Sequence, residues 1–184
     1  YWNGTSCVSC SSVNSATPYC NGSACVSCAS VDTTKPTASI TATNNVSTSQ
    51  TATLTIGDNI GAVAYYWGTS NPLDANVTWT PITSTTSTTI TKTVNNNGTY
   101  YLGVKDAAGN AVSVGKTFYE TTLTANKGSV TPTTVITMAG NSFNLPNPSA
   151  VTGYTFSGWY TAASGGTKYN TSYTPTDNLT LQGQ

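Results

Sequence analysis

The sequence contains no histidine and no arginine, and only 7% of its 184 residues are charged. Without histidine, the chain lacks the side chain that most often acts as a general base near neutral pH and that most often binds metal ions. Six lysines balance six acidic residues, so the composition provides no basic surface to neutralise the phosphates of a nucleic acid. We therefore expect a protein that is not an enzyme, holds no cofactor or metal and does not bind nucleic acid.

Long apolar runs are also missing. No segment reaches the roughly 20 apolar residues of a membrane-spanning helix, and no charged and then apolar leader opens the chain. Threonine, serine, asparagine and glycine replace charge as the solubilising residues, and threonine suits the pleated surface of a strand. The composition predicts a mainly β, extracellular protein without a transmembrane segment, which begins at Tyr1 as a processed product or as part of a longer chain.

Residues 1–31 contain all five cysteines and an internal repeat, in which residues 1–10 resemble residues 19–28. The cysteines are Cys7, Cys10, Cys20, Cys25 and Cys28. Their two C-x-x-C pairs approach the spacing of a four-thiolate zinc site, but the fifth sulfur and the extracellular composition favour disulfides. We predict an irregular, disulfide-rich segment whose cysteine pairing stays open, and this segment is similar to the small cysteine-rich repeats of microbial surface proteins.

The stretch Gly98–Asn110, with the sequence GTYYLGVKDAAGN, alternates apolar and polar residues and then reaches a turn at Asp106–Asn110. Alternation resumes over Ala111–Tyr119, so the two runs predict a β-hairpin. The hairpin resembles the last one of bacterial immunoglobulin-like domains, and DTTKPTASI at Asp32–Ile40 resembles the start of such a domain. The resemblance implies an antiparallel, Ig-like β-sandwich over residues 32–120. Its expected core residues are Trp67, Tyr100, Leu102 and Val104.

Turn-forming residues predict that the other strands of this domain are short. A turn is expected at Gly57–Gly61, because glycine, aspartate and asparagine cluster there. Pro81 is expected to end a short edge strand that contains Val77 and Trp79, because proline cannot donate to a strand ladder.

Lys92 and Lys116 fall on the same strand faces as apolar neighbours when a period of two is applied. Some Ig-like surface domains of Gram-positive bacteria join such a buried lysine to an asparagine through an isopeptide bond, and this resemblance makes both lysines candidates. The alternative, which we favour, places them at strand ends with their ammonium groups in solvent.

The C-terminal segment contains an aromatic motif, GYTFSGWY at Gly153–Tyr160, followed by GGTK at Gly165–Lys168. It is similar to the Listeria-Bacteroides repeat, also called the internalin B-repeat, which implies a small β-grasp-like module over residues 121–184. Strand alternation would place Tyr154 and Phe156 in the core and Trp159 on the opposite face. Consecutive aromatic residues must include outward members, so the candidate interface residues are Tyr66, Tyr101 and Trp159. Such residues either stack on sugars or anchor a partner protein or, as we favour, cover the junction between adjacent domains. The family pattern ends beyond Gln184, and we expect the natural chain to continue.

The acidic residues are dispersed, with no spacing typical of a catalytic pair or a calcium loop, and Asp58 and Asp106 are assigned to turns. The resemblances together imply a non-catalytic surface or stalk module of a multidomain bacterial protein, with an adhesive or spacer role. Its expected partners are neighbouring domains or identical subunits, with carbohydrate or a host protein as further candidates. The alternative is a self-assembling subunit of an extracellular filament, which low charge and exposed strand edges would favour.

Overall fold

The described part of the chain consists of β-strands joined by turns and loops. The computed structural model describes residues 32–184 and, for the backbone alone, two short strands within residues 18–27. These residues form no helix, and so none that could cross a membrane. The prediction of a mainly β protein is confirmed. The strands are β1 (Pro18–Cys20), β2 (Cys25–Ser27), β3 (Thr37–Ala42), β4 (Gln50–Gly68), β5 (Thr80–Val94), β6 (Gly98–Asp106), β7 (Ala111–Ala125), β8 (Thr134–Met138), β9 (Phe143–Asn144), β10 (Trp159–Tyr160), β11 (Lys168–Tyr169), β12 (Ser172–Tyr173) and β13 (Leu179–Gly183).

Residue contacts divide the chain into two compact units. Unit 1 comprises Tyr1–Thr41, Thr53–Thr91 and Tyr100–Gly115. Unit 2 comprises Ala42–Ala52, Lys92–Thr99 and Lys116–Gln184. The divisions fall inside β3 to β7, so each of these strands contributes residues to both units. The ranges 1–31, 32–120 and 121–184 that the sequence indicates as domains remain predictions.

Strands β1 and β2 lie in the cysteine-containing segment. They pair antiparallel, with the backbone of Cys20 opposite that of Cys25. The cysteine side chains lie outside the described part of the chain, as do the predicted disulfides. The five disulfide candidates therefore remain predictions.

Strand β4 is the central strand of unit 1, because β3, β5 and β6 all pair with it. Leu54, Ile56 and Asp58 are buried at every second position, as the period of a strand requires. The predicted turn at Gly57–Gly61 is wrong, because β4 continues through it to Gly68. The turn-forming residues instead produce a local irregularity, with a φ of 146° at Gly61 and a register shift between Ala62 and Ala64 in the pairing with β6.

Strand β5 begins just before the proline that was expected to end a strand. Pro81 is its second residue, and Val77 and Trp79 precede it. The prediction of a short strand that stops at Pro81 is wrong. Because β5 pairs only with β4 among the described strands, one of its edges is open and tolerates a residue without an N–H group.

The predicted hairpin is present as β6, a turn and β7. The Asp106 amide donates to the carbonyl oxygen of Asn110 at 3.1 Å, and Gly109 adopts a positive φ of 92°. The turn at Asp106–Asn110 is confirmed, with the glycine at the position where a side chain would be strained.

Unit 2 is arranged around the last part of β7. Thr121 and its successors pair in parallel with β13, while Phe118–Thr122 pair antiparallel with β8. Strand β13 pairs with β10, which pairs with β11, and the short strands β9 and β12 form a separate two-stranded sheet. The core of unit 2 consists of Leu123, Val130, Val135, Phe143, Leu145, Trp159, Tyr173 and Leu181.

Two aromatic residues of unit 2, Tyr154 and Trp159, have the opposite exposure to the one predicted. Trp159 is 0% exposed and its indole N–H donates to the carbonyl oxygen of Pro146 at 2.9 Å, whereas Tyr154 is 60% exposed. Placing Tyr154 in the core and Trp159 at an interface was wrong, because strand alternation holds only within a strand. Residues 151–158 form a turn and an irregular segment, in which Gly153 has a φ of 83°. Phe156 is half-buried against Trp159, with ring centroids 5.6 Å apart.

Candidate metal centre

Three aspartates from distant parts of the sequence meet in unit 1. Asp32 precedes β3, Asp58 lies within β4, and Asp106 is the last residue of β6. One carboxylate oxygen from each lies within 4.8 Å of the others, and the residues are only 7%, 8% and 4% exposed, respectively. Half of the acidic residues of a sparsely charged chain are therefore gathered at one buried point.

Local backbone hydrogen bonds orient each carboxylate. Asp58 Oδ2 accepts the amide N–H groups of Ile60 and Gly61 at 2.9 and 2.6 Å. Asp32 Oδ1 accepts the amide of Thr34 at 2.9 Å. Asp106 Oδ1 accepts the amide of Asn110 at 2.8 Å. The three side chains are therefore held in place by backbone amides close to them in sequence, which are common partners of short acidic side chains.

Two asparagines connect the segments that carry the aspartates. Asn110 Nδ2 donates to Asp106 Oδ2 at 2.7 Å and to the carbonyl oxygen of Asp32 at 3.0 Å. Asn59 Nδ2 lies 3.4 Å from Asp32 Oδ1. These amide groups are neutral, and none of the donors that the described residues supply to the three carboxylates is a lysine. The negative charge of the cluster therefore has no cationic partner within residues 32–184.

Two carboxylate oxygens of the cluster are left unsatisfied. Asp32 Oδ2 and Asp58 Oδ1 are buried and have no hydrogen-bond partner in the described part of the chain. A buried carboxylate oxygen without a partner loses its hydration and gains nothing in exchange. These two oxygens belong to carboxylates that converge, and they are available to a cation.

The cluster also changes the acidity of Asp106. Burial raises the pKa of the Asp106 carboxyl, and the charges of Asp58 and Asp32 raise it further, while the hydrogen bonds from Asn110 lower it in part. At the 4.8 Å limit, two unit charges repel by about 3 kcal/mol at an effective dielectric constant of roughly 20. A proton on one carboxyl relieves part of this repulsion, and a divalent cation, which sets two positive charges against three negative ones, relieves more of it.

The donor set indicates which cation fits. All the donors are oxygen atoms, and no histidine exists in the chain, so the site lacks the nitrogen ligands that zinc and copper favour. Ca²⁺ accepts six to eight oxygen ligands in flexible geometry, and carboxylates, carbonyl groups and water supply them. Three carboxylates with two free oxygens match Ca²⁺ best.

The sequence pattern placed Asp58 and Asp106 in turns and Asp32 at the start of the Ig-like domain. Each side chain accepts a nearby backbone amide, but Asp58 does so within β4, and neither the two unpaired oxygens nor the convergence was predicted. The signal in the sequence is weak, namely aspartates followed closely by asparagine or glycine in a chain with few charges. The pairing of β4 with β6 sets Ala62 opposite Asp106, and between Asp58 and Ala62 the Asp58 carboxylate accepts the amides of Ile60 and Gly61, so both aspartates lie in the same part of unit 1.

The other predicted residues of unit 1 lie on or near its core. Leu102 and Val104 are 0% exposed. Trp67 and Tyr100 are half-buried and stack with ring centroids 5.4 Å apart. Trp67 is paired with Leu102 and faces the core, but it lies next to the end of β4, where fewer residues cover it.

The predicted interface residues Tyr66 and Tyr101 are half-buried. The ring of Tyr66 lies 6.4 Å from that of Trp79, and the ring of Tyr101 lies over Gly115. Both aromatic rings are therefore covered in part by their own unit.

The two isopeptide candidates differ in exposure. Lys116 is exposed, as expected for a lysine that extends into solvent. Lys92 is half-buried and has an interaction partner. The isopeptide hypothesis itself stays a prediction.

Comparison with known proteins concerns the C-terminal third of the chain. Residues 119–184 match the family model of the Listeria-Bacteroides repeat domain. This repeat domain contains the apolar cluster described for unit 2, from Leu123 to Leu181. The match confirms the repeat that the sequence motif indicated, and such domains occur in bacterial surface proteins. No curated protein and no solved structure matches the chain.

Proposed function

We propose that this chain is a non-catalytic module of a bacterial surface protein, with a spacer or adhesive role outside the cell, and that its unit 1 binds Ca²⁺. The repeat domain supports the surface setting, because its family occurs on bacterial surface proteins. The low charge and high threonine content support an extracellular location. The hairpin of β6 and β7, with its confirmed turn, supports an Ig-like domain over residues 32–120.

The observation that carries the calcium proposal is the pair of unsatisfied oxygens in the buried aspartate cluster. A cation there joins the segment before β3, the middle of β4 and the turn after β6, which are far apart in sequence. Extracellular modules bind Ca²⁺ with dissociation constants of about 10⁻⁴ to 10⁻³ M. Binding of that strength couples the stability of unit 1 to the calcium concentration outside a cell.

A catalytic role for the same aspartates is disfavoured by their burial. Each is at most 8% exposed, so a substrate does not reach the carboxylates as they are arranged here. Each also accepts a nearby backbone amide with at least one oxygen, which fixes the side chain and leaves it less free to exchange protons with a substrate. We therefore assign the cluster a structural role.

Calorimetric titration of Ca²⁺ into the chain, together with thermal unfolding with and without calcium, tests the proposal. The chain is expected to bind one Ca²⁺, and its unfolding temperature is expected to rise with calcium. Asp58→Asn is expected to abolish both effects, because it removes one of the negative charges that bind the cation. The variant is expected to fold, because the asparagine amide fills the same space and can donate to a neighbouring carboxylate. Asp177→Asn removes an exposed aspartate from the repeat domain and is the matched control.

Calcium-free conditions separate the calcium site from simple misfolding. Without calcium, Asp58→Asn is expected to be at least as stable as the parent chain, because it removes one of three repelling charges. A parent chain that neither binds Ca²⁺ nor gains stability from it would refute the calcium site. Concentration-dependent polymerisation in sedimentation experiments would instead favour the filament subunit.

A further inference from the structure

The repeat domain has a groove of about 450 Å³ on its surface. We call it the Tyr154 groove and define it by six of its lining residues: Asn126, Lys127, Asn147, Tyr154, Phe156 and Gln184. Phe156 forms an apolar part of the lining, because it is half-buried and packs edge-on against the buried Trp159. The groove is therefore attached to the core of unit 2.

Tyr154 presents an aromatic ring to this groove. Its 60% exposure is the highest among the large hydrophobic residues described, ahead of Leu73 at 51%. The backbone that carries the ring is held in a turn, because the Tyr154 amide donates to the carbonyl oxygen of Val151 at 3.1 Å and Gly153 has a φ of 83°. A positioned, exposed aromatic ring is a feature of binding surfaces that stack on an apolar ligand face.

The two segments that form the walls are fastened to each other. The Ser149 amide donates to the carbonyl oxygen of Ser129 at 2.7 Å, and the Ser129 amide donates to Ser149 Oγ at 2.8 Å. Gly128 allows this approach, because a Cβ atom there would lie 2.4 Å from the Ser149 carbonyl oxygen. The groove is thus formed before any ligand arrives, which lowers the entropic cost of binding.

The polar groups of the groove have one sign of charge. Lys127 is the only charged residue among those that line it, and its Nζ lies 4.9 Å from the centre of the Tyr154 ring. The exposed amide side chains of Asn126 and Asn147 have no hydrogen-bond partner within residues 32–184. The groove therefore offers an aromatic ring, an ammonium group and free amides side by side.

This combination matches a ligand with an apolar face, several hydroxyl groups and a carboxylate. We propose that the Tyr154 groove binds an acidic saccharide, a sugar ring that carries a carboxylate; the proposal rests on the surface role proposed above. The apolar face of the ring stacks on the aromatic lining, the carboxylate pairs with Lys127, and hydroxyl groups bond to Asn126 and Asn147. Unit 2 contains four lysines and two acidic residues, so its net charge also favours an anionic ligand.

Titration of the ¹⁵N-labelled chain with sodium glucuronate, glucose and acetate, followed by NMR, tests this site. Glucuronate is expected to shift amide signals of residues that line the groove, with a dissociation constant in the millimolar range that is typical of a single sugar in an open site. Glucose is expected to bind roughly fivefold more weakly, because the exposed ion pair to Lys127 is absent. Acetate is expected to give no saturable shifts, because it has no ring to stack.

Single substitutions identify the residues of the Tyr154 groove that contribute to saccharide affinity. Lys127→Gln is expected to reduce the affinity for glucuronate to that for glucose, and Tyr154→Ala is expected to weaken both sugars about tenfold or more. Lys168→Gln is the matched control, because Lys168 also lies over a tyrosine ring, that of Tyr160 at 5.8 Å, but outside the groove. Its affinities are expected to equal those of the parent chain.

Two results would overturn the proposal. Equal binding of acetate and glucuronate would mean that Lys127 binds any carboxylate and that the sugar ring makes no contribution. Unchanged affinity in Tyr154→Ala would mean that no sugar stacks on the Tyr154 ring. Calcium binding is measured on the same sample at the aspartate cluster of unit 1. If the chain binds calcium but no saccharide, only the saccharide proposal fails and the proposed function is kept. If it binds saccharide but no calcium, only the calcium site fails.

Discussion

The buried amide of Gln50 in unit 2 and the buried carboxylates of unit 1 are paired to different degrees, although unit 2 also buries two neutral threonine hydroxyls, Thr121 Oγ1 and Thr137 Oγ1, that have no partner among the described residues. In unit 2, Gln50 is 1% exposed, and its Nε2 donates to the carbonyl oxygens of Asn45 and Ile136 at 2.7 and 2.8 Å. Its Oε1 accepts the Thr43 hydroxyl and the Asn45 amide, so the whole amide group is satisfied. In unit 1, the buried aspartates keep two oxygens without partners.

This difference separates a buried polar group that only stabilises the fold from a buried polar group that also needs a proton or a cation. A satisfied amide stabilises the loop that surrounds it and needs nothing further. Converging carboxylates with free oxygens are costly unless a proton or a cation joins them. The two units also differ in net charge, because unit 1 holds four aspartates and two lysines while unit 2 holds four lysines and two acidic residues. The zero net charge of the whole chain conceals this difference.

The largest effect is expected from the apolar core of unit 2. Trp159→Ala is expected to lower the free energy of unfolding by about 3–5 kcal/mol, because it empties the volume of a fully buried ring and removes the hydrogen bond to Pro146. Urea unfolding followed by circular dichroism measures the loss. Tyr154→Ala in the same segment is the control and is expected to change stability by less than about 0.5 kcal/mol, because the ring is exposed. A similar loss of stability in both variants would contradict the finding that Trp159 is buried and Tyr154 is exposed.

An intermediate effect is expected at the satisfied amide. Gln50→Leu is expected to cost about 1–3 kcal/mol, because it leaves the carbonyl oxygens of Asn45 and Ile136 without their donor. The same urea experiment in calcium-free buffer, with Asp58→Asn beside it, compares the two kinds of buried polar group. If Asp58→Asn proves as costly as Gln50→Leu, the contrast between the units is lost.

The smallest effect concerns the titration of one carboxyl group. The pKa of Asp106 is raised in the folded chain, so the folded state holds this proton more tightly than the unfolded state. Its contribution to stability is present below about pH 4 and is lost as the pH rises through the raised pKa. Without calcium, this group is therefore expected to lower the unfolding temperature with increasing pH in that window.

Saturating Ca²⁺ is expected to cancel this fall, because the cation replaces the proton and favours the charged carboxylates. Asp58→Asn is expected to reduce the fall without calcium, since Asp58 is one of the charges that raise the pKa of Asp106. Thermal unfolding at a series of pH values, with Asp177→Asn as control, measures both effects. Identical pH profiles for the parent chain and Asp58→Asn would show that the aspartates do not interact.

Local patterns account for the features that sequence reasoning identified. The hairpin around Asp106–Asn110 follows from alternation and from a turn whose residues bond to one another. The repeat domain follows from a motif confined to residues 153–168 and from its family likeness. The interactions that form the hairpin lie close together in sequence. The repeat domain was recognised by its short motif, although its own fold depends on distant pairs such as Leu123 with Leu181.

The same local patterns failed where the outcome depended on other strands. Gly57–Gly61 has the composition of a turn, but β4 continues there because neighbouring strands pair with it. Alternation around Tyr154 was applied to residues that form no strand, so the exposed and buried aromatic residues were exchanged. A turn residue and a strand irregularity have the same local chemistry, and only the pairing distinguishes them.

The sequence by itself determined that the chain is mainly β, carries little charge and ends in a Listeria-Bacteroides repeat domain, because composition and short-range patterns suffice for these. The tertiary structure alone decided that Asp32, Asp58 and Asp106 converge and that Tyr154 stands in a groove beside Lys127. The physical reason is distance along the chain: strand pairing and packing bring these residues together, and spacing in the sequence carries no record of it.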